Sequence, residues 1–132
     1  MFSRRKKILI IDDEKDLCFF VRQNLRLLGN YEVIIARNGK EGIKAARARK
    51  PDLILLDIMM PDLDGFEVLR RLKEDNKTVF IPVIFLTAKG DEESKLKAAS
   101  LYNDDYIVKP FEMRVLKSKI DNVLEKTTAN II

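Results

Sequence analysis

The apolar run Leu53-Ile54-Leu55-Leu56 ends in a carboxylate, Asp57, and Pro61 follows shortly after. Apolar character without alternation, bounded by turn residues, is the pattern of a strand covered on both faces, as in a parallel sheet. Such a strand has no room for a charge along its length. It can hold one at its C-terminal end, where the chain leaves the sheet. The same punctuation recurs along the chain. Ile8 to Ile11 runs into Asp12-Asp13-Glu14, Pro82-Val83-Ile84-Phe85-Leu86 into Thr87, and Tyr106-Ile107-Val108 into Lys109-Pro110. A further short strand is predicted at Val33-Ile34-Ile35.

Between these runs the apolar residues change to helical spacing. Leu17, Phe20, Val21, Leu25 and Leu28 form one face, stopped by Gly29-Asn30. Asn38-Gly39 turns the chain into a weaker, Ala-rich helix around Ile43, Ala46 and Arg49, closed by Pro51. Phe66, Leu69 and Leu72 form a third face after the turn Pro61-Asp62-Leu63-Asp64-Gly65, to which Asp62 and Asp64 belong. Lys89 to Leu101 reads as a short helix with a thin apolar face, mainly Leu96 and Ala99. Val115, Leu116, Ile120, Val123 and Leu124 mark the last helix. Strands and helices thus alternate five times. That order specifies an α/β fold, a doubly wound parallel sheet with helices on both faces built through right-handed crossovers. The C-terminal ends of the strands then line one edge, where such sheets bind ligands.

Composition narrows the function. A chain of 132 residues suits one domain with one core. No apolar run approaches the ~18 residues of a membrane span. The basic start, Arg4-Arg5-Lys6-Lys7, leads into an apolar run too short for a signal peptide. The single cysteine, Cys18, excludes an intramolecular disulfide and reads as a small packing or surface residue rather than a redox sensor. These features predict a cytoplasmic protein without a membrane partner. The net charge is +4, but 21 acidic residues are interspersed with 25 basic ones. No helix-turn-helix pattern, zinc-ligand spacing or basic–aromatic interleaving appears, so direct nucleic-acid binding is not indicated. Phe19-Phe20 is expected to divide between core and surface, and Met59-Met60-Pro61 to pack in a loop.

Each polar strand end has an ordinary explanation as a turn residue, a cap or a loop charge. Brought to one edge they are a chemical set: the carboxylates of Asp12, Asp13 and Asp57, the hydroxyl of Thr87 and the ammonium of Lys109. Three clustered carboxylates resist simultaneous ionisation. A hard divalent cation relieves that, and Mg²⁺ favours one or two carboxylates with water and phosphate oxygens. The formal charges of the three acids, Lys109 and Mg²⁺ sum to zero. A phosphoryl group arriving there would meet a metal, an ammonium and a hydroxyl donor. A carboxylate is a competent nucleophile, giving an aspartyl phosphate.

Four segments resemble the receiver domain of two-component response regulators: Ile11-Asp12-Asp13-Glu14, Leu56-Asp57-Ile58-Met59-Met60-Pro61-Asp62-Leu63-Asp64-Gly65, Leu86-Thr87-Ala88, and Asp104-Asp105-Tyr106-Ile107-Val108-Lys109-Pro110-Phe111. The resemblance runs from Lys7 to Lys126. It implies a flavodoxin-like, five-stranded parallel sheet of order 2-1-3-4-5, which is a property of the family and not of the spacing. It implies one receiver domain over residues 1–132, with a core of about 7–126, and no output domain in this chain. Asp57 would accept a phosphoryl group from a sensor histidine kinase or a phosphotransfer protein. Asp13 and Asp57 would bind Mg²⁺ directly, Asp12 mainly through water, and the Met59 carbonyl would complete the protein ligands. Thr87 and Lys109 would contact phosphoryl oxygens, and Tyr106 would be the aromatic switch. Such a domain catalyses only its own phosphorylation and dephosphorylation, and it signals to a downstream target or an output domain. A dimer formed on phosphorylation is also consistent with the family.

Lys109-Pro110 would be a cis bond. Met59 and Lys89 would flank the water that hydrolyses the phosphate, and neither offers an acceptor to activate it. The chain has no histidine, so a phosphohistidine donor lies elsewhere. One departure is Tyr102-Asn103, where the family often has Gly-Ala, which predicts an altered loop. Two other readings use the same residues. A phosphatase of the haloacid dehalogenase type also has a nucleophilic Asp with Mg²⁺, but wants Asp-x-Asp on its first strand and a cap domain. A degenerate receiver acting only as a binding module would have lost acids, Thr or Lys. A flavin-binding relative is disfavoured because Asp12-Asp13-Glu14 would repel phosphate.

Overall fold

The computed structural model describes residues 4–88 and 103–131, with side chains to residue 128. Five strands, β1 (Lys7–Ile11), β2 (Glu32–Ala36), β3 (Leu53–Asp57), β4 (Val83–Ala88) and β5 (Asp105–Lys109), form one sheet in the order β2-β1-β3-β4-β5. All four pairings are parallel. The helices among the described residues are α1 (Lys15–Gly29), α2 (Gly39–Arg49), α3 (Gly65–Lys73) and α4 (Met113–Ile131). The helix predicted from Lys89 to Leu101 lies outside the described residues, as does Tyr102.

The period of two along each strand sorts the core into two layers. Ile8, Ile10, Leu53, Leu55, Ile84 and Leu86 face α1 and α4, where they meet Val21, Leu25, Leu116 and Ile120. Leu9, Ile11, Ile54, Leu56 and Phe85 face α2 and α3, where they meet Ala46, Val68, Leu69 and Leu72. The first four residues of β3 are fully buried, as an unbroken apolar run requires. Helix starts follow from short polar side chains. Asn38 Oδ1 accepts the Glu41 N–H at 2.9 Å, and Asp64 Oδ1 accepts the Glu67 N–H at the same distance. Asp64, expected only in the turn before Gly65, is thus also the N-cap of α3.

Two details of α1 differ from the sequence pattern. Its buried stripe is Cys18, Val21 and Leu25, while Phe20 and Leu28 are about half exposed, at 50% and 47%. Phe19 and Phe20 do not divide between core and surface; both are exposed, and Phe19 is flanked by the cations of Lys15 and Arg22. Only the Cys18, Val21 and Leu25 row of α1 is turned into the core, and Phe20 and Leu28 lie outside that row. On α3, Val68 joins Leu69 and Leu72 in the core, while Phe66 packs against Phe85 from the margin.

Removing core volume should cost far more than trimming an exposed apolar chain. Leu55→Ala, at a fully buried site, should lower unfolding free energy by ~2–5 kcal/mol. Leu27→Ala, at a position 78% exposed, should stay within about 0.5 kcal/mol of wild type. Urea denaturation followed by circular dichroism checks both, and comparable losses at the two sites would contradict the layering.

Candidate phosphoacceptor and metal site

The register assembles the site. Ile11 pairs with Leu56, which sets Asp12 beside Asp57 at the tips of neighbouring central strands. Asp57 pairs with Leu86, and Ala88 with Lys109, so Thr87 and Lys109 leave the next two strands on the same edge. Oxygens of Asp12, Asp13 and Asp57 all lie within 4.8 Å of one another. Asp12 is fully buried and Asp57 is 5% exposed, while Asp13 is the most exposed of the three. Thr87 is buried at 2% exposure, and its hydroxyl reaches the Ala88 carbonyl at 3.3 Å. Lys109 lies beneath, its Nζ 2.8 Å from Asp12 Oδ2 and 3.5 Å from Asp57 Oδ1. The Lys109-Pro110 bond is cis.

Burial raises the pKa of the Asp57 carboxyl to about 7, with the Asp12 carboxylate adding to the effect; Lys109 and the Met59 N–H only partly oppose it. Burial also raises Asp12, against the pull of Lys109 and the Glu14 N–H. On Lys109 the balance falls the other way. Burial acts to lower it, but the carboxylates of Asp12 and Glu14 outweigh that and raise it, so the ammonium stays charged.

The residues present fit a hard cation. The donors are all carboxylate oxygens, and among the described residues the buried Asp12 Oδ2 has only its ion pair with Lys109, at 2.8 Å, which leaves it capacity for a cation. Asp12 Oδ1 is already used by the Glu14 N–H at 2.9 Å. The loop that carries the acids is braced twice more, by Arg37 on the Asp13 carbonyl at 3.0 Å and by the Cys18 thiol on the Asp12 carbonyl at 3.4 Å. Cys18 is buried, and burial pushes its pKa up to about 12, so it is a packing residue and not a reactive thiolate.

Two predicted participants stand further out. Tyr106 is 46% exposed on β5, with the Lys119 ammonium 6.0 Å from its ring centre. It pairs with Phe85, so Thr87, two residues along β4, shares its face of the sheet. The Met59 side chain is 59% exposed. Lys89 lies outside the described residues. Asn103 donates from Nδ2 to the Asp105 carbonyl at 3.0 Å, and Asp104 ties β5 to β4 through the Val83 N–H at 2.9 Å.

Sequence reasoning missed one participant. Glu14 Oε1 lies 2.8 Å from Lys109 Nζ, as close as Asp12. The neutral charge sum for three acids, Lys109 and Mg²⁺ therefore leaves out a fourth carboxylate. The signal was the acid run Asp12-Asp13-Glu14 itself, which gives no indication of which member turns toward a lysine far along the chain.

A sheet of this order, with this acid cluster and a partly buried lysine at its carboxyl edge, defines a class, and comparison with known proteins agrees. The family model of the response regulator receiver domain matches residues 8–121, so the chain belongs to that family. Receiver domains are phosphoacceptor signalling domains of two-component systems and bind Mg²⁺ at such an acidic cluster. Over 122 residues the chain is 45% identical to the phosphate regulon transcriptional regulatory protein PhoB of Pseudomonas aeruginosa, covering 92% of this chain and 53% of that one. The N-terminal domain of a response regulator receiver protein from Methanoculleus marisnigri is 40% identical, with a TM-score of 0.74 over 89% of this chain and 95% of its own. A CheY-like receiver domain protein from Methanospirillum hungatei is 30% identical, with a TM-score of 0.86 over 96% and 99%. The chain spans about half the length of the curated relatives it matches. No helix among the described residues is long and apolar enough to cross a membrane.

Gly65 fixes the loop that carries Asp57. A Cβ there would lie 2.5 Å from the Asp57 carbonyl oxygen and 2.8 Å from Ile58 Cα, both backbone atoms, while the Gly65 N–H donates to the Ile58 carbonyl at 2.8 Å. Gly65→Ala must push the strand tip aside. It should cost ~1–3 kcal/mol in urea unfolding and weaken Mg²⁺ binding measured by calorimetry. Wild-type values of both would show that the loop position does not matter.

Proposed function

We propose that Asp57 is the residue that takes the phosphoryl group, delivered by a histidine kinase or phosphotransfer protein, and that the resulting charge switches a partner-binding surface. The observation that carries this reading is one buried carboxylate, 5% exposed, with an ammonium 3.5 Å away and two further carboxylates within 4.8 Å. Asp57 attacks phosphorus through a carboxylate oxygen as the P–N bond of the donor's phosphohistidine breaks, leaving the imidazole on the donor. Lys109 follows the charge onto the phosphoryl oxygens, and the Thr87 hydroxyl supplies a donor to them. Asp13, Asp57 and the Met59 carbonyl would hold Mg²⁺ directly, with Asp12 acting through water. Bound there, the ion offsets the carboxylate charge and offers coordination to phosphoryl oxygens.

The rest of the proposal follows the same reading. The whole of 1–132, with a core of about 7–126, acts as one receiver unit in the cytoplasm, whose only catalysis is its own phosphorylation and dephosphorylation. An open cleft beside the site, bordered by Leu17, Phe20, Pro110 and Phe111, is where the surface of a donor protein would rest. PhoB is by its name a transcriptional regulatory protein, and RpaA of Synechocystis a DNA-binding one. A DNA-binding output, joined or separate, is accordingly the proposed recipient of the signal.

Two measurements test the assignment. Intact-mass analysis after incubation with a small phosphodonor and Mg²⁺ should show one added phosphoryl group. Asp57→Asn or removal of Mg²⁺ should abolish it, and normal labelling of the variant would exclude Asp57. Thr87→Ala should still accept the group but fail to relay it, because Thr87 and Tyr106 share one face of adjacent strands. Chemical-shift changes around Tyr106 on phosphorylation should shrink in the variant; identical changes in both proteins would rule out the relay.

A further inference from the structure

Glu14 holds the N-cap position of α1, yet its side chain makes no capping hydrogen bond. A glutamate is a poor choice for that position, where Ser, Thr, Asp and Asn are favoured. Its carboxylate goes to Lys109 instead, at 2.8 Å, although the residue is exposed and could point into water. The Glu14 N–H is bound to Asp12 Oδ1 at 2.9 Å, which fixes the Glu14 backbone next to the buried acid and within side-chain reach of the lysine. Lys109 thus has close carboxylate contacts with Asp12 and Glu14, each at 2.8 Å, and a longer one with Asp57 at 3.5 Å.

From this geometry we infer that Glu14 is a positioning residue that holds Lys109 back from the phosphorylation site, competing with the incoming phosphoryl group for its ammonium. The inference rests on Asp57 being the phosphoacceptor. For the ammonium to bind a phosphoryl oxygen, one of its present partners must be released. Asp12 is fully buried, so releasing it would strand a charge away from water, whereas the Glu14 side chain is 60% exposed and can return to water at little cost. Glu14 is therefore the partner that yields. While it is engaged it slows phosphorylation, and once Asp57 is phosphorylated the stronger pull of the phosphoryl charge keeps it displaced. The Lys109–Glu14 pair is a barrier of the resting state, set by side-chain reach rather than by overall charge.

The test uses the whole chain at saturating Mg²⁺, with phosphoramidate as donor. In that transfer the P–N bond breaks, a P–O bond to Asp57 forms, and ammonia leaves from the nitrogen-protonated donor, so the protein supplies no proton. Glu14→Gln should raise the initial rate about fivefold, the equivalent of ~1 kcal/mol for an exposed ion pair. Glu14→Asp keeps the charge but is one methylene too short to reach Lys109, and should also accelerate. An unchanged rate in Glu14→Gln overturns the inference. So does a fast Glu14→Gln with a wild-type rate in Glu14→Asp, which would mark plain charge repulsion. If the wild-type protein takes no label, it is the phosphoacceptor reading that fails. The contact is then judged by the ¹⁵N resonance of the Lys109 ammonium without donor: a shift between wild type and Glu14→Gln supports it, and coincident signals overturn it.

Discussion

The acidic cluster depends on one largely covered ammonium set among carboxylates at the carboxyl edge of a parallel sheet. Without Lys109, the carboxylates of Asp12 and Asp57 would face each other in an environment that already raises both pKa values. Without the acids, Lys109 would be a charge pushed toward neutrality by burial. Neither half is tolerable alone, and a buried charge stripped of its partner costs several kcal/mol. The cluster is thus not there for fold stability, which the two apolar layers supply. It is a site where several carboxylates share one ammonium, ready for a cation and a transferable anion.

The sheet makes this cluster rigid. The strand tips that carry Asp12 and Asp57 extend strands whose apolar residues lie deep in both layers, and Lys109 ends β5, which sends Ile107 into one of them. The loops around them are tied by backbone bonds, by the Gly65 N–H on Ile58 and by the Glu14 N–H on Asp12. Positioning of this kind is the main requirement of phosphoryl transfer, because the transferred group brings most of the reactivity itself. What remains movable is the exposed periphery: the Glu14 carboxylate and the Tyr106 ring, which is about half exposed. Response to phosphorylation is expected to run through these exposed groups while the strand tips stay fixed.

Much of this was legible in the chain itself. Apolar runs without alternation gave the buried strands, and the polar residue ending each run gave Asp12, Asp57, Thr87 and Lys109, because a parallel sheet collects its strand ends at one edge. The order of the strands came from family resemblance; periodicity has no access to it. The exposed Phe20 and Leu28 were not foreseeable, since a helical period does not say which of its apolar rows turns into the core. The Lys109–Glu14 pair was also hidden. It joins positions 95 residues apart, and nothing in the acid run says that Glu14 meets the lysine as closely as Asp12 does.

The account stands on Asp57 carrying the phosphoryl group. An acyl phosphate is reduced by borohydride to the corresponding alcohol, so phosphorylated protein can be trapped, digested and sequenced by tandem mass spectrometry. Homoserine at position 57, with Asp12, Asp13 and Asp62 unchanged, is the result expected. Homoserine at any of those three positions, with Asp57 intact, would contradict the account.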